Sequence, residues 1–369
     1  MESNLINVTK TYLPSKEKYQ KYIDEIFESG RVTNNGPMVK RLEKRLADYL
    51  GVKNIILVAN GTMALGIAYK LLRLEGEVIT TPFSFVATTS SLSYAGLKPI
   101  FADIDPETFN LDPKNIEAAI TEQTSAIVPV HIFGNACEVE EIESIAQKHN
   151  LKVIYDAAHT FDAQYKGKSL LSHGDISILS FHATKLFHTI EGGALIIEDD
   201  ALAREVRLLI NFGIDGPDSV KALGINAKMN EFEAAMGLCV LEDMDIVLDH
   251  QRDVYERYES SLKDVVSFQK KNKNSTQNYG YFPVLFKTEN EVLRVQKALK
   301  DAGIFPRRYF YPSLDTLPYI KVSTTMSVSR DIASRILVLP SYYSLTKDQQ
   351  TLIMDIVRGV IRDDAFSGL

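Results

Sequence analysis

Short apolar runs alternate with segments of helical periodicity over the first half of the chain. The runs end at turn residues and predict β-strands, at residues 55–59, 77–81, 98–104, 126–131 and 152–156. The segments between them predict helices, at residues 62–72, 86–94, 113–120 and 138–149. In the last of these segments Val139, Ile142, Ile145 and Ala146 fall on one face, which is typical of a helix packed against a sheet.

This alternation predicts an α/β fold with a mostly parallel central sheet that helices cover on both faces. Two further strands are predicted at residues 176–181 and 194–197, on either side of a polar loop. Sheets of this kind bind ligands at the carboxyl ends of their strands. Polar side chains that follow the strands are therefore the first candidates for chemistry.

The pattern changes in the last third of the chain. A long helical stretch is predicted from Asn230 to about Leu262. A smaller α+β pattern follows, with a strand at 281–286, a helix at 291–302 and a final helix after Thr346. We therefore divide the chain near Asp245 into a large α/β domain, residues 1–245, and a small C-terminal α+β domain, residues 246–369.

Composition restricts the class of protein. The 369 residues are 45% hydrophobic and 24% charged, as in ordinary globular proteins, and the net charge of −7 argues against non-specific binding to nucleic acid. Residues 1–10 lack the pattern of a signal peptide, and no apolar run reaches the ~20 residues of a membrane helix. Cys137 and Cys239 are too few for a disulfide framework or a multi-cysteine metal site. We expect a reduced, cytoplasmic protein without a metal.

Three polar segments follow predicted strands. Asn60-Gly61-Thr62 turns into a helix, where free N–H groups and a hydroxyl can bind a phosphate, although an ordinary helix cap has the same pattern. Asp156 can hold a heteroaromatic N–H⁺ in a charge-assisted hydrogen bond, or simply cap a turn. Lys185 follows the apolar run 176–180, where partial desolvation favours Schiff-base chemistry, although most loop lysines are solvated.

Together these segments fit one cofactor, pyridoxal 5'-phosphate. An anion cradle would hold its phosphate, Asp156 would keep its pyridine nitrogen protonated so that the ring is an electron sink, and Lys185 would form the Schiff base. His159, three residues after Asp156, could touch the same ring, or it could be a packed core histidine.

Eight ordered segments make the resemblance specific. They span nearly the whole chain and resemble the DegT/DnrJ/EryC1/StrS family of nucleotide-sugar aminotransferases. The segments are Thr33-Asn34-Asn35-Gly36-Pro37, Asn60-Gly61-Thr62, Thr81 to Thr88, Asp103-Ile104-Asp105, Pro129-Val130-His131, Asp156-Ala157-Ala158-His159, Ser180 to Lys185 and Glu191-Gly192-Gly193. The resemblance implies fold type I of the pyridoxal-phosphate enzymes, the aspartate aminotransferase-like fold.

Matching positions imply the residue roles. Lys185 would carry the cofactor and move protons, and Asp156 would pair with the pyridine nitrogen. The other implied cofactor contacts are Gly61, Thr62 and Ser180 at the phosphate, Phe85 and His159 at the ring, and Asn226 at the phosphate of a neighbouring subunit. The last contact implies a homodimer with its active sites at the subunit interface.

The resemblance also indicates a substrate. The residues from His182 to His188, with Glu191-Gly192-Gly193 after them, resemble family members that aminate carbon 4 of a hexose. Among these, the resemblance is to enzymes that make dTDP-4-amino-4,6-dideoxyglucose from a dTDP-linked ketosugar and L-glutamate, for bacterial O-antigen or related glycans. The implied substrate contacts are His182, Lys228, Arg308 and Tyr311, although many relatives have arginine in place of Lys228.

Two alternatives stay open. A carbon 3 aminotransferase would place the new nitrogen elsewhere on the sugar, which NMR of the product locates. A non-catalytic regulator would keep the cofactor and show no turnover with any ketosugar nucleotide.

Overall fold

The computed structural model describes residues 5–320 and 324–367. The α-helices in these ranges are α1 (Lys16–Ser29), α2 (Pro37–Leu50), α3 (Gly61–Leu71), α4 (Val86–Tyr94), α5 (Pro113–Ala119), α6 (Val139–His149), α7 (Asp200–Leu209), α8 (Glu231–Glu242), α9 (Met244–Leu262), α10 (Glu289–Asp301), α11 (Ser327–Arg335) and α12 (Lys347–Ser367). The strands are β1 (Ile6–Asn7), β2 (Ile55–Val58), β3 (Glu77–Thr80), β4 (Lys98–Phe101), β5 (Thr124–Val128), β6 (Lys152–Asp156), β7 (Gln164–Tyr165), β8 (Lys168–Ser169), β9 (Ile176–Ser180), β10 (Gly193–Ile196), β11 (Ile214–Gly216), β12 (Ser219–Val220), β13 (Phe282–Leu285), β14 (Ile304–Phe305) and β15 (Ile336–Leu339).

Seven strands form the central sheet, in the order β2-β10-β9-β6-β5-β3-β4. The pairings from β9 through β6, β5 and β3 to β4 are parallel. Only β10 runs antiparallel to both of its neighbours. Its connection to β9, residues 181–192, contains no helix that could serve as the crossover of a parallel pair. The predicted α/β fold with a mostly parallel sheet is confirmed.

Alternate side chains of the central strands pack against two different layers of helices. Leu57 and Leu179 pack with α2 and α8 on one face. Ile56 and Ile178 pack with α3 and α7 on the other. Because successive side chains of a strand point to opposite faces, one short apolar strand can supply both layers of core.

The predicted helix from Asn230 to Leu262 is two helices. They meet at Asp243, whose φ of −107° and ψ of 5° leave the helical region. Asn230 begins the first of them with a capping box, in which Glu233 is the reciprocal partner. The sequence pattern also gave no assignment to α1 and α2, which pack on α8.

The C-terminal residues build a second core around the antiparallel pair β13 and β15. It joins Tyr258 of α9, Phe282, Leu299 of α10 and Val357 of α12, all of them buried. The proposed division near Asp245 falls in the first turn of α9. The N-terminal strand β1 pairs with β14 of this C-terminal part. Within residues 5–320 and 324–367, no helix combines the length and the apolar character needed to span a membrane.

Candidate cofactor and active site

The three predicted segments follow three strands of the central sheet. Asn60-Gly61-Thr62 follows β2, Asp156 is the last residue of β6, and Lys185 lies five residues beyond Ser180, the last residue of β9. A small cavity is lined by Lys185 together with Ser180, His159 and Tyr281. The sheet therefore gathers residues that are far apart in the sequence.

The turn after β2 is built for close approach of a ligand. The Asn60 side chain accepts a hydrogen bond from the N–H of Met63 at 2.9 Å and so caps α3. By helix geometry, the N–H groups of Gly61 and Thr62 at the first turn have no intrahelical partner and can bind an anion. A Cβ on Gly61 would lie 3.0 Å from the Cβ of Ser180. The missing side chain brings the helix terminus and the Ser180 hydroxyl together, which fits a phosphate cradle.

Gly193 keeps the same junction open from the neighbouring strand. A Cβ there would lie 2.5 Å from the carbonyl carbon of Asn60. Gly193 is also the register partner of Ser180 in the β9–β10 pair. The second glycine of the Glu191-Gly192-Gly193 segment is thus required by the packing of β10 against the cradle.

Asp156 is a buried carboxyl group, 5% exposed, at the end of β6. Thr88 of α4 donates its hydroxyl to one carboxyl oxygen at 2.8 Å, and the N–H of Ala158 donates to the other at 3.2 Å. Burial raises the pKa of Asp156, while these two hydrogen bonds and the charge of Lys185 oppose the rise. A buried acid of this kind is stabilised in its ionised form by a cationic N–H donor, as a protonated pyridine supplies.

Lys185 is half-buried and turns back towards the sheet. Its backbone N–H donates to the carbonyl of His182 at 2.8 Å, which fixes a tight turn. Its amine donates to the phenol oxygen of Tyr281 at 3.2 Å. Lys185 therefore lines the cavity, where a Schiff-base lysine is required.

His159 belongs to an aromatic stack beside Lys185. Its ring is 5.7 Å from that of Phe310 with an interplanar angle of 4°, and 6.3 Å from that of Phe133 with an angle of 10°. Its Nδ1 accepts a hydrogen bond from the N–H of Phe133, so the neutral ring has its proton on Nε2. Burial, with the charge of Lys185 as a smaller cause, holds the pKa of His159 well below its usual value. His159 presents a neutral, rigid ring to the cavity.

Other predicted contacts lie around this centre. Phe85 is 53% exposed at the start of α4, the helix that carries Thr88 to Asp156. Lys228 donates to the side-chain oxygen of Asn226 at 2.8 Å, and Ala59 hydrogen-bonds to Ala227 beside the turn after β2. His182 is exposed, with its Nδ1 at 2.8 Å from the Thr184 hydroxyl.

Among residues 5–320 and 324–367, the hydrogen bonds and ion pairs of Arg308 and Tyr311 do not involve Lys185 or Asp156. Arg308 pairs with Glu289 at 2.7 Å and donates to the carbonyl of Ser334 at 2.8 Å. Its guanidinium carbon lies 3.6 Å from the centre of the Tyr311 ring. Phe310, between them, reaches His159, so this segment does border the cavity.

Three residues of the site had no role assigned from the sequence. Thr88 lay inside a recognised segment, but its bond to Asp156 spans 68 residues. Tyr281 was predicted only as the start of a strand, and Phe310 lies between Arg308 and Tyr311, the two implied substrate contacts. Contacts of such long range leave no local pattern in a sequence.

An open α/β sheet with a glycine cradle, a buried acid and a lysine at the carboxyl ends of its strands defines a pyridoxal-phosphate enzyme of fold type I. The chain belongs to the DegT/DnrJ/EryC1/StrS aminotransferase family, whose model matches residues 14–358. It is therefore an aminotransferase, and its cofactor is pyridoxal 5'-phosphate.

Similar proteins cover almost the full length. A dTDP-4-amino-4,6-dideoxy-D-glucose transaminase of Shigella dysenteriae is 44% identical over 362 residues, which are 96% of this chain and 99% of that one. A protein of the same name from Escherichia coli is 38% identical, over 97% of this chain and all of its own. The crystal structure of DesI in the presence of its TDP-sugar product superimposes with a TM-score of 0.93 at 33% identity, covering 99% of this chain and 95% of that one.

Proposed function

We propose that this chain transfers the amino group of L-glutamate to carbon 4 of dTDP-4-dehydro-6-deoxy-D-glucose. The products would be dTDP-4-amino-4,6-dideoxy-D-glucose and 2-oxoglutarate. The observation that carries this choice of substrate is the 44% identity, over nearly both chains, to a relative named for that product. We place the reaction in the cytoplasm and its product in O-antigen or related glycan synthesis.

The described residues fit the cofactor. The N-terminus of α3 at Gly61 and Thr62, with Ser180, would hold the phosphate, and Asp156 would hold the pyridine nitrogen. When bound, pyridoxal phosphate supplies an electron sink that stabilises the negative charge developing on carbon during proton removal.

Lys185 would serve the reaction in two ways. It would anchor the cofactor through its amine. When that amine is free, it would take the proton from the α-carbon of glutamate and later return a proton to carbon 4 of the sugar. General acid–base help of this kind contributes typically ~10²–10⁴ in rate.

Incubation of the purified protein with dTDP-4-keto-6-deoxyglucose and L-glutamate, followed by NMR of the product, tests the proposal. We expect the nitrogen on carbon 4 and one equivalent of 2-oxoglutarate. Turnover with the 3-keto isomer of this substrate but not with the 4-keto sugar, with nitrogen on carbon 3 of the product, would instead establish the alternative aminotransferase. A cofactor-loaded protein without turnover on either ketosugar would indicate a regulator. The Lys185→Ala variant is the control, because it should lose both turnover and the absorption band of the lysine-bound cofactor.

We further propose that the protein acts as a homodimer. An apolar groove between α3 and α4 continues onto the segment after the β11–β12 hairpin, where Leu223 is 78% exposed, and Tyr94 at the end of α4 is 97% exposed. Val220 of the hairpin itself is 71% exposed. A groove and a projecting apolar hairpin on one chain can form a self-complementary interface with a second copy.

Complementation between two inactive variants tests the shared site. If Asn226 serves the neighbouring subunit, a mixture of Asn226→Ala and Lys185→Ala chains forms hybrid dimers with one complete site. Random reassociation of equal amounts would then restore about a quarter of the wild-type activity. A mixture that stays inactive, although co-purification through an affinity tag on one of the two chains shows that hybrid dimers have formed, would place Asn226 at the site of its own chain.

A further inference from the structure

The amine of Lys185 has a specific partner from the C-terminal part of the chain. Its Nζ donates to the Tyr281 oxygen at 3.2 Å and lies 5.7 Å from the centre of the Tyr281 ring. The two residues are 96 positions apart, and Tyr281 directly precedes β13 of the C-terminal core. Among residues 5–320 and 324–367, Tyr281 is the side chain to which the Lys185 amine donates a hydrogen bond.

The Tyr281 hydroxyl is held in a fixed place by the packing of its ring. Tyr281 is only 9% exposed. Its ring lies 4.8 Å from that of His159 and 5.8 Å from that of Phe133. The Tyr309 ring meets it edge-on at 6.3 Å. Aromatic neighbours on several sides leave the phenol few alternative orientations, so its oxygen is a preorganised acceptor.

A free lysine amine, in contrast, is mobile. A long side chain loses up to about 2 kcal/mol of conformational freedom when it is fixed. A hydrogen bond to a charged amine is strong enough to offset that loss. Tyr281 can thus select, among the rotamers of Lys185, the one that keeps the amine in the cavity beside Ser180 and His159.

We propose that Tyr281 is a positioning residue, which holds the Lys185 amine in place whenever that amine is not covalently engaged. The inference rests on the proposed function, in which Lys185 must alternate between anchoring the cofactor and moving protons. Tyr281 itself needs no contact with the reacting atoms. Tyr281 keeps the released Lys185 amine within reach of the site, where the amine can move protons and anchor the cofactor again.

Loading of the cofactor-free enzyme with pyridoxal phosphate alone tests the proposal without sugar or glutamate. The covalent step is followed by the absorption of the lysine-bound cofactor in stopped flow. We expect Tyr281→Phe, which keeps the ring and removes the hydroxyl, to slow this step about 10- to 100-fold, as for the loss of a hydrogen bond to a charged group. Tyr279→Phe is the matched control, because Tyr279 packs on Tyr255 in the C-terminal core and should load as the wild type does.

Non-covalent binding is measured separately by calorimetry in the Lys185→Ala background. There the added Tyr281→Phe change should leave the affinity for pyridoxal phosphate unaltered. Equal covalent loading rates for Tyr281→Phe and Tyr279→Phe would overturn the proposal, and so would a weakened non-covalent affinity, which would assign Tyr281 to the cofactor pocket itself. Because the assay contains no sugar nucleotide, a wrong choice of substrate cannot be mistaken for either result.

Discussion

At Asp156, a carboxyl group lies at the end of β6 with one hydroxyl and one N–H as its donors. Burial raises the pKa of this acid above its unfolded value. The native state then binds more protons than the unfolded chain, so the contribution of Asp156 to stability is greatest at low pH and is lost as the pH rises through its native pKa. At neutral pH the buried carboxylate therefore destabilises the cofactor-free protein.

The Asp156→Asn variant should separate stability from function. We expect the cofactor-free variant to have a melting temperature at pH 7 that equals or exceeds the wild-type value. Turnover should fall about 10- to 100-fold, because an amide cannot hold a protonated pyridine nitrogen by a charge-assisted bond. Calorimetry and a coupled 2-oxoglutarate assay measure the two effects. Asp162→Asn is the control variant. Burial also raises the pKa of Asp162, but this substitution should leave turnover unchanged.

Among the elements, α2 depends on a cap from a distant helix. Its N-cap residue, Gly36, has no side chain to offer. Instead, Glu231 of α8, fully buried, accepts hydrogen bonds from the N–H groups of Met38 at 2.7 Å and Val39 at 3.3 Å. A Cβ on Gly36 would lie 2.7 Å from the Glu231 carboxyl carbon. The glycine of the Thr33-Asn34-Asn35-Gly36-Pro37 segment is thus explained by the carboxylate that must fit against it.

This contact predicts the effect of two substitutions. Glu231→Gln keeps an acceptor oxygen and should cost about 1 kcal/mol of unfolding free energy, the scale of one helix cap. Gly36→Ala should cost more, about 1–3 kcal/mol, because the methyl group forces the buried carboxylate away from its donors. Urea denaturation of the cofactor-free protein measures both. Gly66→Ala in α3, where an added Cβ meets open space, should not destabilise.

The elements also show what the sequence can and cannot predict. Strands β2, β3 and β6 and helices α4 and α6 were predicted within one or two residues, because short apolar runs and turn residues mark them locally. Gly61, Asp156 and Lys185 could be proposed as site residues because parallel strands end at one edge of a sheet. Tyr281 and Glu231 could not, since each acts on a residue about a hundred or more positions away. The break at Asp243 was also missed, because neither glycine nor proline marks the junction Glu242-Asp243-Met244.

For the whole molecule, the buried histidines set the response to acid. His131 is fully buried, accepts the N–H of Cys137 through Nδ1 at 3.1 Å and stacks on Tyr155 at 4.6 Å. Burial lowers the pKa of His131 to about 3 and holds that of His159 well below its usual value. The native state thus binds fewer protons than the unfolded chain below about pH 6.5, so stability falls with the pH by up to ~1.4 kcal/mol per pH unit for each histidine.

The His131→Gln variant isolates one of these contributions while keeping an acceptor for Cys137. Between pH 6.5 and 4, the wild-type free energy of unfolding should fall more steeply than that of the variant. The two slopes should differ by up to ~1.4 kcal/mol per pH unit, the value for one bound proton. Urea titrations of the cofactor-free protein at half-unit pH steps measure the difference. His149→Gln, at an exposed histidine that pairs with Glu117, should not produce a change of this size. Parallel pH profiles for wild type and His131→Gln would show that His131 does not contribute to acid unfolding, and the slope would then have to come from His159 and the carboxyl groups.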